Sequence, residues 1–185
     1  MTSDIADHYR RVAAAFTWRA DAVPPDAWDN AAPCAGWAAR DIVGHMVDWM
    51  SAMLRESAAL DIPIGPSADV DPAGAWRTMC DAIQTVLDDP DLAATEFFHD
   101  HIGRMPVEQA VAMIMIPDVF LHAWDLARAT GLDETLDPVE VAALFVAMEP
   151  LDEMLRMSGQ YGPRVVVPHD ADTQTKLLAF IGRQP

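Results

Sequence analysis

Positive charge is what this chain has least of. Its 185 residues carry 12 Lys and Arg against 29 Asp and Glu, a formal net charge of −17. Such a balance cannot neutralise a run of phosphates, so nucleic acid is excluded as a partner, and an anionic membrane surface is disfavoured for the same reason. Cysteine is nearly as scarce. Cys34 and Cys80 are the only two. They form no CxxC pair and fit reduced thiols better than a disulfide framework or a zinc knuckle. The opening MTSDIADHYRR lacks the apolar stretch of a signal peptide. The apolar run from Val111 is too short for a bilayer and holds two ionisable groups. A cytoplasmic protein with no membrane partner is therefore expected. Internal repeats and low-complexity segments are missing too.

Apolar residues, by contrast, make up 51% of the chain, enough for one substantial core. A single domain over 1–185 is expected, with about 160–185 as a tail packed on it. Periodicity predicts helices over 4–22, 38–60, about 72–87, 106–130, 138–157 and 171–181. Ser3 or Asp4 would cap the first, and Asp71, with Pro72 behind it, the third. Gly36 reads as a turn glycine and Gly131 as a C-cap. Pro117 and Pro150 fall inside helices, so a kink before Asp118 and a break near Pro150 are expected. Residues 61–70 read as a linker. Residues 91–105 read as a loop or short extended piece, and Val165-Val166-Val167-Pro168 as an extended edge segment. Helix after helix, joined by moderate connections, argues for an all-α up-down bundle whose polar site is built from facing helices.

The chemistry centres on Val111 to Trp124, where only Asp118 and His122 ionise. Four residues apart, they share one helix face. A carboxylate in so apolar a helix is costly unless a cation meets it, and a carboxylate–imidazole pair at this spacing is half of a divalent-metal site. On the second helix, His45 lies between Ile42 and Trp49 on the apolar side. His45, Asp118 and His122 would make a two-histidine, one-carboxylate set with open coordination positions. A buried hydrogen-bond network without metal is the structural alternative.

Two motifs add a resemblance. Cys34-Ala35-Gly36-Trp37-Ala38-Ala39-Arg40-Asp41-Ile42-Val43-Gly44-His45 and Asp118-Val119-Phe120-Leu121-His122-Ala123-Trp124-Asp125-Leu126-Ala127-Arg128-Ala129-Thr130-Gly131 resemble the paired signatures of the DinB-like superfamily, in its actinobacterial mycothiol-dependent branch. The tail from Tyr161-Gly162-Pro163 to Gly182-Arg183 resembles its shorter members. The resemblance implies a DinB-like four-helix bundle, with extra short helices and a C-terminal extended segment, that binds a divalent metal, usually zinc, through His45, Asp118 and His122. Nickel and iron suit the same donors. Maleylpyruvate isomerase relatives have Glu at the position of Asp118, so the metal is expected closer to the helix here. The isomerase's extra C-terminal domain is not matched, and its particular reaction is not expected to carry over.

The resemblance further implies mycothiol, a low-molecular-weight thiol, as co-substrate. Metal coordination lowers a thiol's pKa and makes an anchored nucleophile for a small electrophile, giving S-transfer or isomerisation. Arg77 would hold an anionic substrate or thiol carboxylate, as an arginine from that region does in relatives. Trp49 would wall the thiol pocket. Asp41 and Asp125 are candidates to orient the histidines, with an Asp125–Arg128 pair as the plainer role for Asp125. His99 and His101 could line an entrance. Cys34 and Cys80 have no evident partner base to act as nucleophiles. The alternative function is a non-catalytic metal- or ligand-binding regulatory module. Apolar helix faces would also serve a homodimer.

Overall fold

The computed structural model describes residues 3–185. They form two compact units, one running up to Asp133 and the other spanning Glu134–Pro185. The fifth predicted helix packs with the last one inside the second unit.

In the first unit, α1 (Asp4–Ala22), α2 (Ala39–Ala58), α3 (Pro72–Asp88) and a fourth, composite helix make the bundle. Helix α1 packs on α3 and on the fourth helix, and α2 packs on the same two. Local chemistry sets the ends. Ser3 Oγ accepts from the Ala6 N–H at 3.1 Å, and Asp71 accepts from the Gly74 N–H at 2.9 Å, ahead of Pro72. Each satisfies a helix-start donor with no partner inside the helix. A short α4 (Pro90–Ala93) follows α3. The unassigned stretch after it is a β-hairpin, Glu96–His99 (β1) against Gly103–Pro106 (β2), with Phe97 facing inward and fully buried.

The composite helix is assembled from α5 (Val107–Ala110), a π-helical turn over Val111–Met115, and α6 (Ile116–Thr130). Pro117 has no N–H to give and its ring crowds the preceding turn. The strain is relieved one turn earlier than a simple kink: the Ile116 N–H reaches back five residues to the Val111 carbonyl. One residue inserted into a helix turns everything after it by about 100°, so the π turn sets the direction in which Asp118 and His122 leave the helix. Gly131 closes α6 in the left-handed region, φ 71°. The whole span Val107–Thr130, 24 residues, is longer than its apolar run suggested and meets the length and composition of a membrane crossing. Even so, 72% of its most apolar window is buried inside the protein, as befits a central core helix.

The second unit holds α7 (Pro138–Met148), α8 (Asp152–Met157) and α9 (Thr173–Phe180). A single 3-10 turn, Glu149–Leu151, falls at Pro150 where the break was expected. Helices α7 and α9 pack together, with Phe145 edge-on to Phe180 at 6.0 Å. Asp172 caps α9. Among the described residues Val165–Pro168 pairs with no strand, and the Val165 N–H donates to the Ala179 carbonyl at 2.9 Å.

Trp76 shows how the first unit's core combines packing with polar satisfaction. It is fully buried, its ring lies 4.5 Å from Phe16, and its indole N–H donates to Thr17 Oγ1 at 2.8 Å. Trp76→Ala should lower stability by about 3–5 kcal/mol through the cavity it leaves. Thr17→Val, which keeps the volume but orphans the indole N–H, should cost about 1–3 kcal/mol. Urea unfolding midpoints at a common m-value check both.

Candidate metal centre

Three segments of the first unit bring side chains to one point. Helix α2 buries Ile42, Met46 and Met50 along one stripe, and His45 and Trp49 stand half-buried at its edge. Helix α6 carries Asp118 and His122 one turn apart. The loop before α2 ends in a tight turn, Cys34-Ala35-Gly36-Trp37, closed by the Trp37 N–H on the Cys34 carbonyl at 3.1 Å. Gly36 takes φ 82° there with open space where a Cβ would sit, so backbone conformation and not crowding requires glycine. Asn30 of the same loop donates to the Ala129 carbonyl at 3.0 Å and ties the loop to the end of α6.

His45 Nε2 lies 3.8 Å from Asp118 Oδ2, and His122 Nε2 lies 3.6 Å from Asp118 Oδ1. The two rings meet edge to face, centroids 5.3 Å apart. All three ligand atoms fall within 4.8 Å of one another. Separations of 3.6 and 3.8 Å are too long for hydrogen bonds. They are close to the spacing of about 3.4 Å that two ligands about 2.1 Å from a shared tetrahedral ion would have. Trp49 Nε1 donates to Asp118 Oδ2 at 3.1 Å, and His122 Nδ1 donates to Asp125 Oδ2 at 2.9 Å. A carboxylate can only accept, so Asp125 holds the Nδ1–H tautomer and leaves Nε2 to face Asp118 and His45. Asp125 itself is wholly buried.

Electrostatics point the same way. Burial alone would push the His122 imidazole down, but the Asp118 charge and the Asp125 hydrogen bond outweigh it and raise its pKa to about 10. His45 moves down, through burial and the repulsion of His122, against the pull of Asp118 and Asp48. Without a metal, then, one proton on His122 sits where a cation would sit. The donor set fits a divalent ion: two imidazoles and one carboxylate, with His45 lining an open cavity of about 930 Å³ that leaves coordination positions reachable.

The expected dry interior is corrected in one respect. Asp118 keeps 26% of its side chain exposed, because it sits at the bundle's edge and not at its axis. Other expected residues go elsewhere. Arg77 is exposed and pairs with Asp21 of α1, so the structure does not bring it to the cluster. Asp41 accepts from the Ala38 N–H at 2.7 Å and caps α2. His99 and His101 lie side by side on the hairpin, 5.7 Å between centroids, outside the metal-ligating groups found among the described residues. Trp37 was not anticipated. Its ring lies 4.9 Å from His45 and stacks on His122 at 5.9 Å. Cys34 does have polar company: its Sγ is 3.5 Å from Asp125 Oδ2. The signal for both was the turn glycine between them in the first motif.

Comparison with known proteins matches residues 9–127, well over half the chain, to the family model described as the mycothiol maleylpyruvate isomerase N-terminal domain. The chain belongs to that family. His45, Asp118 and His122 all lie inside the matched span of this mycothiol maleylpyruvate isomerase N-terminal domain. Two relatives in Mycobacterium tuberculosis, the uncharacterized proteins MT0763 of strain CDC 1551 and Rv0738 of strain H37Rv, are each 27% identical over 177 residues, covering 95% of both chains. No solved structure gives a significant match.

For this domain in its metal-free form, NMR should show His122 titrating near pH 10 instead of its ordinary 6.5, and Asp118→Asn should lower that value. The sign follows from linkage. A folded pKa above the unfolded one stabilises fully below about pH 6.5, and that contribution is lost as pH rises through about 10. The urea midpoint of the metal-free protein should fall across that range, and the His122→Gln protein should show a smaller fall, confined to the alkaline end where the half-buried Cys80 thiol, also raised, titrates.

Proposed function

We propose that the protein is a divalent-metal-dependent transferase or isomerase of the cytoplasm that employs a low-molecular-weight thiol, mycothiol, on a small electrophile. One observation carries this reading: two imidazole nitrogens and a carboxylate oxygen, from two helices, converge beside a cavity large enough for a thiol and a second small molecule. Zinc is the ion that best suits these donors in this family, with nickel and iron as chemical neighbours. A bound divalent cation would supply the Lewis acidity that frees a thiol of its proton near neutral pH.

The chain's own residues do the rest. His45, Asp118 and His122 would hold the ion. Asp125 fixes the His122 tautomer, and Trp49 holds Asp118 through its indole N–H while its ring walls the cavity. Trp37 packs against both imidazoles, and His122, the more buried of the two, feels its charge partners through the least water. The cavity brings thiol and electrophile together, so that a bimolecular encounter becomes a local one. Arg77, bound to Asp21, has no part in this scheme.

Protein purified without added metal should carry about one divalent cation per chain by elemental analysis, and His122→Ala should lose it. Asp125→Ala, which leaves all three ligands in place, should weaken metal affinity by about 10–100-fold, with Asp125→Asn intermediate. The loaded protein should consume an alkylating electrophile only when the thiol is present. A protein that holds no divalent cation and takes up none ends this reading. Tight metal binding with no turnover over a panel of thiols and electrophiles would favour a regulatory metal- or ligand-binding module.

A further inference from the structure

The cavity beside His45 has walls of one charge. Asp41, Asp48 and Asp69 line it, together with Trp37 and Trp49, and no lysine or arginine does so among the described residues. Arg40, beside the lining Asp41 in sequence, is held by Asp29 Oδ1 at 2.8 Å and by the backbone carbonyl of Asp69. Arg55 lies in an adjoining groove of about 260 Å³ that shares Val47, Asp48, Ile64 and Gly65 with the cavity. It is ten residues beyond His45 on α2, or about 15 Å along the helix. A divalent ion with Asp118 leaves a net charge of +1 at the metal, against three carboxylates on the approach.

From this arrangement we propose that the cavity takes uncharged or cationic guests and turns away anionic ones. A dicarboxylate of the kind in the family's name would meet three carboxylates before reaching the metal, with no lysine or arginine among the described lining residues to receive its second charge. The two indoles offer flat apolar faces instead, and these suit a neutral or cationic body. The substrate class is thus a neutral or positively charged electrophile, paired with a thiol bearing no carboxylate. This inference rests on reading the cavity as the thiol and electrophile site.

The test uses three thiols with the same two-methylene spacer and different end-group charge: cysteamine, 2-mercaptoethanol and 3-mercaptopropionate. Each is titrated into cobalt(II)-loaded protein at low ionic strength, and the thiolate-to-cobalt absorption band reports binding. Cysteamine and 2-mercaptoethanol should bind, and 3-mercaptopropionate should bind about tenfold or more weakly. The gap should narrow as salt is raised to about 0.15 M. It should nearly close in the Asp48→Asn/Asp69→Asn protein, whose substitutions lie on exposed side chains. Equal or tighter binding of 3-mercaptopropionate by the unaltered protein overturns the charge rule and leaves the metal centre standing. A protein that holds no cobalt, or shows no band with any thiol, overturns the metal–thiol reading instead. The charge rule is then decided on the metal-free protein by fluorescence quenching of Trp37 and Trp49, taken as the difference from a Trp37→Phe/Trp49→Phe protein. Acrylamide and caesium should quench well and iodide poorly; iodide quenching as efficient as acrylamide's overturns the rule.

Discussion

One carboxylate lies between two imidazoles, and the rest of the first unit depends on holding it there. Asp118 faces His45 and His122 at distances too long for hydrogen bonds and close to those for sharing an ion. Such a half-open arrangement does not maintain itself. Left to collapse, the groups would pair directly or turn to water. The indole N–H of Trp49 restrains the carboxylate, Asp125 restrains His122, and the Trp37 ring covers both imidazoles. Opposite charge meets the cost of burial at His122, whose pKa rises, but not at His45, where burial and the repulsion of His122 outweigh the pull of Asp118.

The bundle supplies the stiffness that this geometry needs. Helix α2 and the composite helix each bury a long apolar face, so their side chains cannot rotate about the helix axes without exposing core. Two backbone irregularities then aim the ligands. The π turn before Pro117 reorients the outgoing face of α6, and the Gly36 turn swings Cys34 and Trp37 onto the site. Irregular backbone is placed beside the chemistry, and regular helix carries it.

Access to the centre is set by a segment with little structure of its own. The linker over residues 61–70 contributes Ile64 to Asp69 to the cavity wall. It packs few apolar groups and brings acidity to the entrance.

Much of this was legible beforehand. Helix ends followed from Ser3, Asp71, Pro72 and Gly131, because capping is a contest between neighbouring groups. The Asp118/His122 pair followed from helical spacing, and the break at Pro150 from proline's missing donor. The direction of Asp118 did not follow, since it depends on where the helix strain is released, and Pro117 alone does not say whether by a kink or a wide turn. The hairpin after α4 escaped because its strands are four residues each and show no period. Trp37, Cys34 and the acidic cavity wall come from loops, whose paths are set by what they pack against. Taken alone, the sequence determined the long helices, the caps at Ser3, Asp71 and Gly131, and the one-face pairing of Asp118 with His122, all of which rest on interactions within a few residues. Only the tertiary structure decided that Asp125 holds His122, that Arg77 stays with Asp21, and that the entrance is acidic, because each depends on groups brought together from distant parts of the chain.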